Sequence, residues 1–117
     1  MANRTKLTRE VINKVASAIY PGGNYFEIAC QAAGISKTTA YDWLAMAEGR
    51  KKRSKTIPKE LLMEFSDAVR KAEAEAEMAA VIHWRSFFDS DWRAAAEFLS
   101  RRFPERWKKT ERQELTG

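Results

Sequence analysis

The chain has 117 residues, enough for one domain or two very small ones but not for a large multi-domain enzyme. Its 21 Lys and Arg against 16 Asp and Glu leave a formal charge of +5, and 44% hydrophobic residues supply a core, which excludes a basic disordered tail. No stretch approaches the roughly 20 apolar residues that cross a bilayer, the start MANRTKLTRE has no signal-peptide pattern, and the single Cys30 excludes an intramolecular disulfide; these imply a cytoplasmic setting and no membrane partner.

Thr8 is placed to cap a first helix over residues 9–20, in which Val11, Ile12, Val15, Ala16 and Ile19 recur at helical spacing until Pro21-Gly22-Gly23 stops it. Asn24, with Glu27 three residues later, resembles a capping box for a second helix whose apolar face is Ile28, Ala29, Ala32 and Ala33. That helix should end near Gly34, with Ile35 as a hydrophobic plug. Ser36 then caps a third helix that buries Ala40, Trp43, Leu44 and Ala47 and closes at Gly49.

Helix, short glycine-containing turn, helix is the order that sets a second helix into the major groove of DNA. Ala29, Cys30 and Ala33 are small enough for two helices to cross closely, and Gly34 accepts a left-handed backbone. With its apolar positions inward, the third helix presents Lys37, Thr38, Thr39, Tyr41 and Asp42. Lys37, Thr38 and Tyr41 suit phosphates, whereas Thr39 and Asp42 suit base edges. Double-stranded DNA is therefore the expected partner. Residues 1–48 carry five bases and four acids, so one copy should bind weakly and with strong salt dependence.

A basic connector follows. GRKKRSKTIPK, residues 49–59, holds six bases and no acid. Arg50, Lys51, Lys52, Arg53 and Lys55 either extend the phosphate-binding surface or form a solvated linker.

Residues 60–98 reverse the balance with nine acids and four bases. Pro58 suits a first helical turn and nothing breaks residues 59–89, which would extend roughly 46 Å at 1.5 Å per residue. Leu61, Phe65, Ala68, Ala72, Ala76, Ala79 and His83 form a seam, flanked by Leu62, Val69, Ala80, Ile82 and Phe87. Ser90 or Asp91 restarts a helix with Trp92, Ala95, Ala96, Leu99 and Phe103 on one face, until Pro104 interrupts it. The short connection implies an antiparallel return. Two helices make a poor core, so the aromatic side chains of this half would stay exposed in a lone copy. Self-association is the expected resolution, carried by Leu61, Leu62, Phe65, Val69, Ala72, Ala76, Ala79, Trp84, Phe87, Trp92, Leu99 and Phe103.

Catalysis finds little support. His83 and Cys30 are the sole residues of their kinds and fall in different modules, which leaves no metal cluster or Cys/His dyad, and no phosphate-loop signature occurs. No catalytic residue, metal or cofactor is expected. The chain thus reads as all-α: a three-helix helix-turn-helix domain over residues 1–49, a basic linker over 50–58, an oligomerising long-helix hairpin over 59–103 and a C-terminal tail over 104–117.

This order of parts, EIACQAAGISKTTAYDWL, a basic connector, a long Ala/Glu-rich helix and DWRAAAEFLSRRFPERW, resembles the small terminase subunit of tailed bacteriophages over nearly the whole chain. The resemblance implies a non-enzymatic DNA-recognition component of a viral genome-packaging motor, working in an infected bacterial host. Such subunits assemble as rings, often of about eight to eleven copies. They bind the viral packaging site through helix-turn-helix domains and engage the large terminase subunit, which holds the ATPase and nuclease. Lys37, Thr38, Thr39, Tyr41 and Asp42 match the recognition helix, and residues 61–103 match the oligomerisation hairpin. A ring would also raise the effective concentration of weak DNA readers, with residues 49–58 as a flexible charged tether. The alternative reading is a dimeric helix-turn-helix transcription regulator or a transposase-type DNA-binding protein.

Overall fold

The computed structural model describes residues 6–108, and every regular element among them is helical. In chain order these are α1 (Arg9–Ile19), α2 (Phe26–Ala32), α3 (Lys37–Ala47), α4 (Lys59–Arg85), α5 (Trp92–Arg102) and α6 (Pro104–Trp107). The chain divides into two compact units, the first ending at Glu77 and the second beginning at Met78.

The start of α1 is as the sequence predicts: the Thr8 hydroxyl accepts from the Val11 N–H at 3.2 Å, and Val11, Ile12, Val15 and Ile19 form the buried stripe. Past its end, the Gly22 N–H donates to the Ser17 carbonyl at 2.9 Å and the Gly23 N–H to the Ile19 carbonyl at 2.8 Å, satisfying carbonyls that a helix end leaves orphaned. The expected Asn24–Glu27 capping box does not form. Tyr25 is the N-cap residue without a side-chain bond, and the Asn24 side-chain amide instead donates back to the Ala18 carbonyl at 3.0 Å. The buried face of α2 is accordingly Phe26, Ala29 and Cys30, and Ile28 is half exposed.

Gly34 makes the turn to α3. Its φ of 86° lies where an L-residue is strained by its Cβ, and its N–H donates to the Gln31 carbonyl at 3.0 Å while Ile35 N–H reaches the Cys30 carbonyl at 2.8 Å. This paired closure drops Ile35 into the core and leaves Ser36 extended, so that its hydroxyl caps α3 by accepting from the Thr39 N–H at 3.1 Å. The same closure ends α3, where the Arg50 N–H donates to the Ala45 carbonyl at 2.8 Å.

The first half of α4 completes this unit, against the sequence expectation. Leu62, Phe65, Ser66, Val69 and Ala72 recur at helical spacing and are buried, the four apolar ones in one cluster with the interior of α1, α2 and α3. The Phe65 ring, with no exposed surface, lies 6.1 Å from that of Phe26 and 5.5 Å edge-on from that of Trp43. On the surface, Arg9 of α1 grips Glu64 with a two-pronged pair at 3.0 and 2.8 Å. Leu62, Phe65, Val69 and Ala72, expected to face other copies, are therefore consumed by the chain's own core, and Leu61 packs at its edge. The physical reason is area: α1, α2 and α3 have 11, 7 and 11 residues and enclose too little apolar surface without a fourth helix.

The connector is likewise not a free tether. Ile57 packs on the core, the Arg53 guanidinium donates to the Ile57 carbonyl at 2.8 Å, and the Ser54 and Thr56 hydroxyls share a hydrogen bond of 2.9 Å.

In the second unit, α4 stops at Arg85, short of the expected residue 89. Tight bonds follow, from Phe87 N–H to the Trp84 carbonyl and from Phe88 N–H to the Arg85 carbonyl, while the Ser86 hydroxyl donates to the His83 carbonyl. Asp91 caps α5 by accepting from the Arg93 N–H at 2.9 Å, and Pro104 opens α6. Phe98 of α5 meets Trp84 edge-on at 5.5 Å and Phe88 at 5.4 Å. No described residue of this unit is fully buried: Ala79, Trp84 and Leu99 are intermediate, and Phe87 and Phe103 are exposed. Trp92, expected inward, is 73% exposed beside the Arg93 guanidinium. The expected C-terminal tail begins as α6, and residues 109–117 lie outside the described residues.

Candidate nucleic-acid interface

A helix advances about 100° per residue, which fixes what α3 can show to a ligand. Ala40 and Trp43 point inward, Leu44 and Ala47 are intermediate, and Thr38 and Tyr41 are exposed with Asp42 beside them. Thr39 lies beyond Asp42, on the flank away from Tyr41. It is partly buried, its hydroxyl accepts from the Ser36 hydroxyl at 3.0 Å, and it lines a groove of about 530 Å³ with Asp42, Trp43, Met46, Ser54, Thr56 and Ile57. The expected base reader Thr39 thus does not share the face of Thr38 and Tyr41.

Carboxylates organise the bases around this face. Glu27 of α2 receives two of the expected contacts: the Lys37 ammonium stands 3.8 Å from it and the Tyr41 hydroxyl donates to it at 2.9 Å. The Tyr41 ring is held edge-on against Phe26 at 5.3 Å, and the bond to Glu27 raises the phenol above its ordinary pKa. Lys51 lies 3.0 Å from Asp42. Arg50 donates to one Glu48 oxygen at 2.8 and 2.5 Å, and Arg70, reaching from α4, takes the other. The Arg50 hydrogen bond, aided by both guanidinium charges, holds the Glu48 carboxyl below its usual range despite some opposing desolvation.

All of these pairs are exposed, and exposed ion pairs are weak because water screens them and long side chains lose freedom. The bases held near this face are Lys37, Arg50, Lys51 and Arg70, paired with Glu27, Asp42 and Glu48, and Glu73 also lies close enough to Tyr41 to raise its phenol; of the connector's other bases, Arg53 is engaged by the Ile57 carbonyl. Arg70 escaped the sequence reading because it is 22 residues from Glu48, and only the docking of α4 brings them together.

The expected self-association residues divide between the units. Leu62, Phe65, Val69 and Ala72 belong to the first core, and Leu61 and Ala76 are intermediate. In the second unit, the large exposed apolar side chains are Met78, Ile82, Phe87, Trp92, Phe103 and Trp107. Ile82 was expected to flank the seam, whereas Met78, one helical turn before it, was not on the expected surface.

Cys30 is fully buried and desolvation pushes its thiol up to about 12. His83 lies edge-on to Phe87 at 5.2 Å. Among the described residues, no group of three or more His, Cys, Asp or Glu side chains could hold a metal ion, and no helix is long and apolar enough to cross a membrane. No protein-family model matches the chain, and no curated protein or solved structure matches it.

Proposed function

We infer that the protein is a non-enzymatic DNA-recognition component of a viral genome-packaging motor, similar to a small terminase subunit. It binds double-stranded DNA as a homo-oligomeric ring and passes that DNA to a large terminase subunit. In this reading α2 and α3 act as a helix-turn-helix, with Thr38, Tyr41 and Asp42 toward the major groove and Lys37 and the bases of residues 50–55 on phosphates. The C-terminal part of α4 and α5 act as an antiparallel hairpin that gathers copies. The observation that carries the reading is the Ser36-capped α3, whose exposed flank runs into a basic segment immediately beyond Gly49.

The ring rests on the exposed apolar surface of the second unit, from Met78 to Trp107; among the described residues, all the fully buried ones precede Met78. Native mass spectrometry tests it: a closed assembly of about eight or more copies is expected, and a stable dimer would favour a transcription regulator. DNA binding is tested by titrating duplex DNA at several salt concentrations. Replacing Arg50, Lys51, Lys52 and Arg53 by Ala should weaken binding to all sequences and reduce the salt slope by roughly 0.9 for each phosphate no longer neutralised. Unchanged affinity would remove the basic segment from the interface.

A further inference from the structure

Four bases around α3 are already engaged by a carboxylate of the same chain. Glu27 holds Lys37, Asp42 holds Lys51 at 3.0 Å, and Glu48 holds both Arg50 and Arg70. These carboxylates come from three directions, α2, α3 itself and the residues ending it, and they surround the exposed flank of the one helix that Ser36 and Gly49 fix at both ends. A carboxylate offers a guanidinium or ammonium the same kind of oxygen acceptor as a phosphate. We propose that Glu27, Asp42 and Glu48 are specificity-determining residues that occupy the phosphate-binding bases as internal stand-ins for the DNA backbone and so depress binding to duplexes of arbitrary sequence.

The proposal rests on the DNA-binding reading given above and adds a mechanism to it. Each phosphate has to displace a carboxylate before it is bound, so every backbone contact is reduced by the worth of the pair it replaces, a small amount per base that adds up over four of them. Phosphate binding carries no sequence information, and weakening it alone raises the ratio of specific to non-specific binding. In an assembly of many copies this matters more, because a small excess affinity per module is multiplied by avidity.

The test uses the full chain and a random-sequence DNA duplex of about 30 base pairs, long enough to engage several phosphates. Glu48→Gln, Asp42→Asn and the triple variant with Glu27→Gln keep side-chain shape while releasing the bases. Each freed base that takes up a phosphate should tighten binding up to about eightfold at about 0.1 M salt and steepen the salt slope by roughly 0.9. Asp67→Asn is the control for each single variant, and Asp67→Asn with Glu75→Gln and Glu77→Gln is the control for the triple: all three residues are exposed on α4, make no ion pair among the described residues and match the variants' changes in net charge. Circular-dichroism melts verify that each variant is folded. Tighter binding by the three variants and not by the controls supports the proposal. Equal effects in variants and controls reduce it to net charge and overturn it, as does a wild-type chain that binds DNA while the variants bind no better. If neither the wild type nor any variant binds DNA at low salt, the DNA-binding reading itself fails.

Discussion

Replacing Phe65 by Ala tests whether α4 belongs to the N-terminal unit. The Phe65 side chain has no exposed surface and touches the Phe26 and Trp43 rings, so truncation removes a buried aromatic and leaves a cavity between three helices. Such changes cost about 3–5 kcal/mol, a figure that includes the packing of one ring on another. A unit ending at Glu77 should have a total stability of about 4–12 kcal/mol, at 0.05–0.15 kcal/mol per residue. Phe65→Ala should therefore remove a large part of it. Residues 1–77 contain a single tryptophan, Trp43, which lies edge-on to Phe65 and reports the transition by fluorescence. Urea melts of the 1–77 fragment should show a cooperative transition in the wild type and a midpoint lowered by roughly 2 M in the variant, at a slope near 1.5–2 kcal/mol/M. A destabilisation below about 1 kcal/mol, or a 1–49 fragment as stable as 1–77, would refute the four-helix core.

Two further outcomes follow from packing and charge. The Glu64 carboxyl is held below its usual value, chiefly by the Arg9 hydrogen bond, so this pair's contribution is full above the unfolded glutamate value of about 4.3 and disappears as pH falls through the lower folded value. Urea midpoints of the 1–77 fragment should drop on acidification, and Glu64→Gln should make that drop shallower; identical pH profiles would deny the pair a role. In α2, Ala29→Leu should cost about 1–3 kcal/mol by overpacking a site with 1% exposure, whereas Ile28→Gln should stay within about 0.5 kcal/mol. Thermal melts that rank the two substitutions the other way would place the wrong face of α2 inside.

Residues whose partners are close in sequence were legible in advance. Thr8 and Ser36 cap the helices they were expected to cap and Gly34 and Gly49 take left-handed dihedrals, because each depends on chemistry within a turn or two of itself, and Ile35, Ala40 and Trp43 are buried on the inward faces that helical periodicity marks. Local competition misled at Asn24, where a capping-box spacing was present but the side chain found the Ala18 carbonyl instead. The larger error concerned α4. Its apolar stripe marks a face that must be covered, and periodicity cannot say whether Phe65 meets another copy or Phe26 and Trp43 of its own chain. The carboxylates around α3 were visible only as weakened electrostatics. Their assignment to particular bases needed the packing that sets Arg70 beside Glu48 and Tyr41 beside Glu27.

The shielded state of Cys30 has a practical side. The only sulfhydryl of the chain is enclosed and kept protonated at neutral pH, so maleimide reagents will pass over it while the fold is intact. A cysteine introduced at Thr38 or Met78 can then carry a fluorophore or spin label alone, without first removing the native thiol from a helix crossing that has no room for a larger side chain.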